Sequence, residues 1–362
     1  MKAVILAGGG GTRLWPMSRK DKPKQFFNLI SNDPLIRDTY QRLLRIFSVE
    51  DIYFAVSPQI VPLVKEAFPE VEDDHIIVEP AKRDTGPAMG YAAAILELSC
   101  PDESIMFFPA DHWINEKDQE VYLRCFKVAD RLIQETGKLL DIAITPSFPS
   151  TVLGYTRVGD LHETTDGIEV YKFRGHTEKP DFETAKGFLE EGSYLWHANY
   201  YMWTPRRFVA ALEKHAPVIG QALRQIQEKL KVGDRAGIDQ IFADVPSISI
   251  DYAMTEKLDN EDMLIIKGDF GWSDIGAWDT LHDQRVDVND ASKNVIKGQV
   301  IAVDSNDNLF YASDKRVIAA AGVSNLVVVD TGDVVLVCDK NQAQRVKELI
   351  AEIKTQGLDH LL

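Results

Sequence analysis

Near the amino terminus, two groups of residues could do chemistry together. Gly8, Gly9, Gly10 and Gly11 follow a short apolar run, and Thr12-Arg13 and Lys22-Pro-Lys24 follow the glycines. A glycine loop behind a strand can wrap polyphosphate in backbone N–H groups, and Arg13 and Lys24 bring the positive charge a triphosphate needs. A Walker A loop would need Gly-Lys-Ser/Thr where Gly11-Thr12-Arg13 stands. A dinucleotide loop would need a helix directly behind its glycines and an acid about 20 residues on, and Pro16 and Pro23 oppose that helix. A kinase-type loop would lie between antiparallel strands without this basic continuation. The bland alternative is a flexible surface turn, which four glycines between a buried-type strand and Thr-Arg argue against.

Two acids could complete such a site. Asp111 closes the apolar run Ser104-Ile-Met-Phe-Phe-Pro-Ala110. A carboxylate there suits Mg²⁺, which takes one or two carboxylates together with phosphate oxygens; a cap or turn would use the same residue. Asp274 sits in Gly271-Trp-Ser-Asp-Ile-Gly-Ala-Trp278, either as a second metal carboxylate or as the N-cap of a helix over 275–281. Beside Asp111, the metal reading is the better one. In Glu178-Lys179-Pro180 the lysine could clamp a second phosphate and the glutamate could take sugar hydroxyls, unless the segment is a solvated charged turn. Trp196-His-Ala-Asn-Tyr-Tyr-Met-Trp203 mixes aromatic and polar side chains, as sugar sites and ordinary cores both do. The histidines show no metal-type spacing, and no Ser, His and Asp grouping carries an acyl-transfer motif.

The elements that must position these residues alternate in type. Lys2–Ala7 reads as a strand buried on both faces. Pro34 opens a helix with Asn32 or Asp33 as cap, and Ile36, Tyr40, Leu43, Leu44 and Phe47 share one face. Strand, helix, strand and helix follow at 51–56, 62–67, 76–78 and 86–98, then the strand at 104–109. This pattern predicts an α/β, Rossmann-like, mostly parallel mixed sheet flanked by helices, with ligands beyond the carboxyl ends of its strands. The glycine loop and Asp111 both fall there. Residues 120–136 and 205–230 read as amphipathic helices, and 169–173 as a strand. From 294, short apolar runs separated by Gly, Asn and Asp predict a small C-terminal β module, closed by a helix over 342–354. The division is expected at 285–293, giving a catalytic domain over 1–285 and a β-rich domain over 294–362.

Bulk properties narrow the class. The chain has 362 residues and a net charge of −16, which excludes a nucleic-acid-coating role. An acidic chain that binds an anionic substrate must gather its cations locally, and Arg13, Arg19, Lys20, Lys22 and Lys24 do so. Cys100, Cys125 and Cys338 have no paired spacing, which points to a reducing compartment and away from zinc. No run is long enough to span a membrane, and a cytoplasmic protein is expected.

Taken together, the segments resemble the sugar-1-phosphate nucleotidyltransferases, in particular their mannose-1-phosphate guanylyltransferase branch. Leu6-Ala-Gly-Gly-Gly-Gly-Thr-Arg-Leu-Trp-Pro-Met-Ser-Arg19 is similar to the family's opening motif, and Lys22-Pro-Lys-Gln-Phe26 to its second block. Glu79-Pro-Ala-Lys-Arg-Asp-Thr-Gly-Pro-Ala88 is similar to its guanine-end block. Phe108–His112, Glu178–Asp181, Ser249–Ala253 and Trp272–Trp278 follow in the family's order. The resemblance implies GTP and mannose 1-phosphate as substrates, GDP-mannose and pyrophosphate as products, and Mg²⁺ as cofactor. It implies catalytic roles for Arg13, Lys24, Asp111 and Lys179. Nucleotide contacts are implied at Leu6, Ala7, Gly8–Thr12, Arg13, Lys24, Pro80, Arg83 and Thr85. Sugar-phosphate contacts are implied at Gly154, Glu178, Lys179, His197, Asn199 and Asp251, and metal ligands at Asp111 and Asp274. Bifunctional relatives carry a cupin isomerase domain; about 80 residues follow position 280 here, so a single activity is expected. The C-terminal module is expected to pack on the main domain or to make a homodimer.

Some positions depart from the family pattern. Pro149-Ser-Thr-Val-Leu-Gly-Tyr155 loses one Gly and one Tyr. His197 stands for a sugar-contacting Asn, Asn199 for Gly, and Asp84 for Asn. Asn tolerates a left-handed backbone, so the turn at 199 should survive. The altered sugar pocket leaves open another manno-configured phosphate, such as a heptose 1-phosphate. A non-catalytic GDP-mannose-binding regulator is the other alternative, opposed by the charged positions that remain.

Overall fold

The computed structural model describes residues 1–9, 11–313 and 315–362. Before the C-terminal module, the strands run β1 (Lys2–Leu6), β2 (Ile52–Val56), β3 (Ile76–Val78), β4 (Ile105–Pro109), β5 (Trp113–Ile114), β6 (Leu139–Ile144), β7 (Tyr155–Thr165), β8 (Ile168–Thr177), β9 (Tyr194–His197), β10 (Met202–Trp203), β11 (Met263–Gly268) and β12 (Trp272–Ser273). The chain divides into two compact units, and the division does not follow chain order. The first comprises Met1–Gly8, Tyr40–Pro109 and Ile114–Trp272; the second comprises Gly9–Thr39, Ala110–Trp113 and Ser273–Leu362.

The first unit is built on a ten-stranded mixed sheet in the order β11-β8-β7-β9-β6-β10-β4-β1-β2-β3. β4, β1, β2 and β3 are mutually parallel, as expected of apolar strands buried on both faces. Leu6 is partnered with Pro109, so the chain leaves β1 and β4 at the same edge. β7, β8, β9 and β10 enter antiparallel, an arrangement the apolar runs did not announce. The β7–β8 hairpin is long and mostly half-buried or exposed, so its alternation is weak. The helix Gln119–Thr136 buries Tyr122, Leu123, Phe126, Leu132 and Ile133 and ends at Gly137 in the left-handed conformation. The single helix expected over 205–230 is two, Pro205–His215 and Pro217–Lys231. Pro217 lacks the N–H that would continue the first, and its ring disfavours a helical residue before it.

The second unit has its own core, in which Leu14, Trp15, Met17 and Leu35 pack with Ile275, Trp278, Leu281, Val295, Val327 and Val329. The Trp278 indole N–H donates to the Trp15 carbonyl at 3.0 Å, and the Trp15 indole to the Leu361 carbonyl at 2.8 Å. The expected β module is a stack of parallel strands. β13 (Val295–Lys297), β15 (Leu309–Tyr311) and β17 (Leu326–Asp330) pair in parallel, as do β14 (Gln299–Val303) and β16 (Val317–Ala321). β18 (Val335–Asp339) closes the first set antiparallel. The apolar run over 295–303 breaks at Gly298, whose φ of 89° turns the chain from β13 into β14. Buried Asn308 ties successive turns of the stack, donating to Asn294 Oδ1 and accepting from the Leu326 N–H. Among the described residues, no helix is long and apolar enough to cross a membrane.

Candidate active site

The expected site residues fall into two groups, one within each unit. In the second unit the glycine loop, Lys24, Asp111 and Asp274 lie together. A methyl group placed on Gly9 would come 3.8 Å from Asp111 Oδ2, so the loop runs directly beside the carboxylate. Gly11 has a φ of 53°, and a methyl group there would lie 2.7 Å from Ser18 Oγ and 2.8 Å from Lys24 Cγ. Glycine is required on both counts. Leu6 and Ala7 close β1 in the first unit, with the Ala7 N–H bonded to Ala55 at 3.1 Å, and Gly8 ends that segment. Gly10 lies outside the described residues. A single turn of 3₁₀ helix, Thr12–Leu14, follows the loop, in keeping with the prolines behind it.

Lys24 is buried, and three oxygens surround its ammonium. It pairs with Asp111 Oδ2 at 3.0 Å and donates to the carbonyls of Asp274 at 2.6 Å and Ile275 at 3.2 Å. Burial pushes the Asp111 carboxyl up, but Lys24 and His112 outweigh it and hold it below the ordinary carboxylate value. Asp274 is not the helix cap that was one of its two readings. The helix begins at Trp278 with Ala277 as N-cap, and the Asp274 carboxylate accepts from the Gly276 N–H at 3.2 Å and faces Arg13 at 4.0 Å. Ile275 has a φ of 43°, a conformation that costs a β-branched residue energy. Arg19, counted among the local cations, is committed elsewhere. Its guanidinium forks onto Asp333 at 2.7 and 2.8 Å. The Asp111 carboxylate and the Asp274 and Ile275 carbonyls around the Lys24 ammonium, with the Asp274 carboxylate in the same loop, are oxygen donors of the kind that fit Mg²⁺.

In the first unit, four neighbouring strands bring polar side chains to one face of the sheet. His197 on β9 stands opposite Ala143 on β6, which puts Asp141 on the diagonal. His197 Nδ1 meets Asp141 Oδ2 at 2.8 Å. Thr156 on β7 stands opposite His176 on β8, with Oγ1 3.4 Å from Nδ1. Asp251, in the short helix Ile250–Ala253, reaches the same cluster. Its Oδ1 accepts from Tyr201 Oη at 2.8 Å and lies 3.4 Å from His197 Nε2. Glu178 pairs with Lys179 and lies 3.6 Å from His176 Nε2. Burial disfavours a charged imidazole at His197, but Asp141, Asp251 and Glu178 outweigh it and raise its pKa to about 9. Burial likewise pushes Glu178 up, while His176, Lys179 and His197 bring it to about 2. A methyl group on Gly154 would strike Glu178 Oε2 at 2.5 Å, and the Gly154 carbonyl accepts from the His197 N–H at 2.9 Å. Asn199 has a φ of 63°, the left-handed turn expected of it, and its Oδ1 lies 3.3 Å from His197 Nε2.

Pro80, Arg83 and Thr85 precede and open the helix Thr85–Glu97, whose N-cap Asp84 accepts from the Thr85 N–H. Thr85 Oγ1 accepts from the Ile250 N–H at 2.9 Å, and the Ile248 N–H donates to the Arg83 carbonyl at 3.2 Å. The segment of Pro80, Arg83 and Thr85 is therefore pinned to the one that carries Asp251. Three residues escaped sequence reasoning. Asp141 interrupts the apolar run Leu139-Leu-Asp-Ile-Ala-Ile144; a buried charge must be paired, and that signal could have found it. Glu79 is buried with Oε2 unpartnered, and burial pushes its carboxyl up to about 7. His176 had no sequence signal.

Residues 2–291 match the nucleotidyl transferase family model. The chain belongs to the nucleotidyl transferase family. Residues 298–353, the parallel stack, match the mannose-phosphate isomerase/GMP-like beta-helix domain. An Escherichia coli mannose-1-phosphate guanylyltransferase is 32% identical over 366 residues, which cover 98% of this chain and 76% of that protein. The xanthan biosynthesis protein XanB of Xanthomonas campestris is 34% identical over 363 residues, 98% of this chain and 73% of its own. The crystal structure of a Thermus thermophilus protein, described as a mannose-1-phosphate geranyltransferase, superposes with a TM-score of 0.85 at 30% identity, covering 98% of this chain and 99% of that one. The fold of this nucleotidyl transferase is thus the one that the alternating elements implied.

Proposed function

We propose that this nucleotidyl transferase moves GMP from GTP to mannose 1-phosphate, giving GDP-mannose and pyrophosphate. The observation that carries the reading is the Asp111–Lys24 pair against Gly9, in a chain about one third identical to proteins named for this transfer. A phosphate oxygen of the sugar phosphate attacks the α-phosphorus, the bond to the β-phosphate oxygen breaks, and pyrophosphate leaves. The attacking oxygen is already anionic, so no general base is needed. Catalysis rests on positioning and on charge stabilisation.

The loop N–H groups of Gly8–Thr12 and the cations Arg13 and Lys24 hold the triphosphate. Asp111 and Asp274 would hold Mg²⁺, which when bound neutralises phosphate charge and orients the reacting groups. Lys179 takes the sugar phosphate, and Glu178, His197, Asn199 and Asp251 take hydroxyls, with Gly154 leaving room. Pro80, Arg83 and Thr85 frame the base. The unpartnered Glu79 Oε2 supports guanine, whose N–H donors suit a carboxyl acceptor. Three free thiols, Cys100, Cys125 and Cys338, support a reducing cytoplasmic setting.

The test is pyrophosphate release with GTP and Mg²⁺, run separately with mannose 1-phosphate, glucose 1-phosphate and a manno-heptose 1-phosphate. Release with mannose 1-phosphate is the expected result. The His197–Asp141 pair in the sugar cluster favours a second reading, another manno-configured phosphate, which would show as release with the heptose alone. No release with any sugar, from folded protein that still binds GDP-mannose, would overturn transfer itself.

A further inference from the structure

We infer that His176, Glu178 and Asp251 form a site for a first-row divalent cation of the zinc or cobalt type, separate from the oxygen-lined group at Asp111 and Asp274. One ligand atom from each of the three lies within 4.8 Å of the other two. His176 Nε2 is the deciding atom. The side chain has no exposed surface, its Nε2 makes no hydrogen bond, and it faces Glu178 Oε2 at 3.6 Å and Asp251 Oδ1 at 3.8 Å. A buried, unpartnered imidazole nitrogen aimed at two carboxylates is costly unless something fills the gap.

The spacing says what fills it. Metal bonds of about 2.0–2.2 Å from His nitrogen and carboxylate oxygen put tetrahedral ligands about 3.3–3.6 Å apart. The His176 distances lie at or just beyond that edge. Each ligand also has an outer partner of the kind that orients metal ligands. Thr156 Oγ1 sits at His176 Nδ1, which leaves Nε2 turned inward; Tyr201 Oη donates to Asp251; and Lys179 pairs with Glu178. One imidazole nitrogen and two carboxylates make a mixed nitrogen–oxygen set, which suits zinc or cobalt better than magnesium. Three protein ligands leave a fourth position open. Glu178 and Asp251 are also placed at the sugar hydroxyls above, but the convergence of the three ligands does not rest on that reading.

The experiment uses the full chain freed of metal with a chelator and titrated with Zn²⁺ against a chromophoric competitor, and separately with Co²⁺. The expected result is one tightly held Zn²⁺ per chain and intense visible Co²⁺ bands of tetrahedral type. Asp274→Asn should retain both, and His176→Val should weaken Zn²⁺ binding at least about tenfold, the smallest loss expected even for an outer partner. Circular dichroism checks folding, and His176→Gln serves if the valine variant unfolds. Unchanged Zn²⁺ binding in a folded His176 variant, or no tightly held Zn²⁺ in the wild type, overturns the site.

Discussion

The two groups of candidate site residues are built in opposite ways. The phosphate side, in the second unit, uses backbone and short-range sequence. Glycines 8–11 follow one strand, Asp111 follows its parallel neighbour, and the Lys24 ammonium ties Asp111 to the Asp274 carbonyl. The sugar side, in the first unit, uses side chains on four adjacent strands, and sheet register decides which of them meet. A phosphate loop needs donors that any glycine-rich backbone supplies, so its motif is compact. A sugar pocket needs particular polar atoms in particular places, so its residues scatter along the chain and vary.

If that contrast is right, damage to the sugar side should first appear as buried charge left without its partner. His197→Asn strands Asp141, which has no exposed side-chain surface, and removing one partner of a buried pair costs about 3–5 kcal/mol. Denaturant unfolding should show this loss, and Asp141→Asn/His197→Asn should recover part of it. Additive losses would break the pairing argument. Damage to the phosphate side should appear in turnover. Asp111→Asn is expected to lower kcat about a hundred- to a thousandfold, with the KM for sugar phosphate little changed. Near wild-type turnover in a folded variant would remove Asp111 from the reaction.

A smaller effect separates the two sides more sharply. Gly154→Ala puts a methyl group against Glu178 Oε2. It should raise the KM for sugar phosphate by about tenfold, one lost interaction of about 1.4 kcal/mol, and leave the KM for GTP alone. An equal rise in both would mean the sides are not separable. An effect confined to the pH dependence is expected at Glu79. Its folded carboxyl titrates at about 7 against 4.5 for the ordinary group, so the folded state holds a proton that the unfolded state has already released. Stability contributed by the neutral form is full below pH 4.5 and is lost as pH rises through 7. Glu79→Gln should remove that downward slope from stability measured across the window.

The sequence by itself determined the family, the alternating α/β pattern, the glycine loop and the two acids flanking it. These depend on neighbours in the chain, and local chemistry announces them: glycine where backbone must bend, apolar runs where strands are buried, proline where helices cannot continue. Even Asn199 could be placed in a left-handed turn, because few residue types tolerate one. Tertiary structure alone decided the rest. It drew residues 9–39 and 110–113 into one unit with 273–362, set the antiparallel order of β7, β8, β9 and β10, and brought Asp251 to His176 and Glu178 at the end of β8. Histidine spacing along the chain gave no hint of metal, because spacing reads only one helix or one loop at a time. Cross-strand register and the packing of the short helix that carries Asp251 join residues tens of positions apart, and only the fold fixes them.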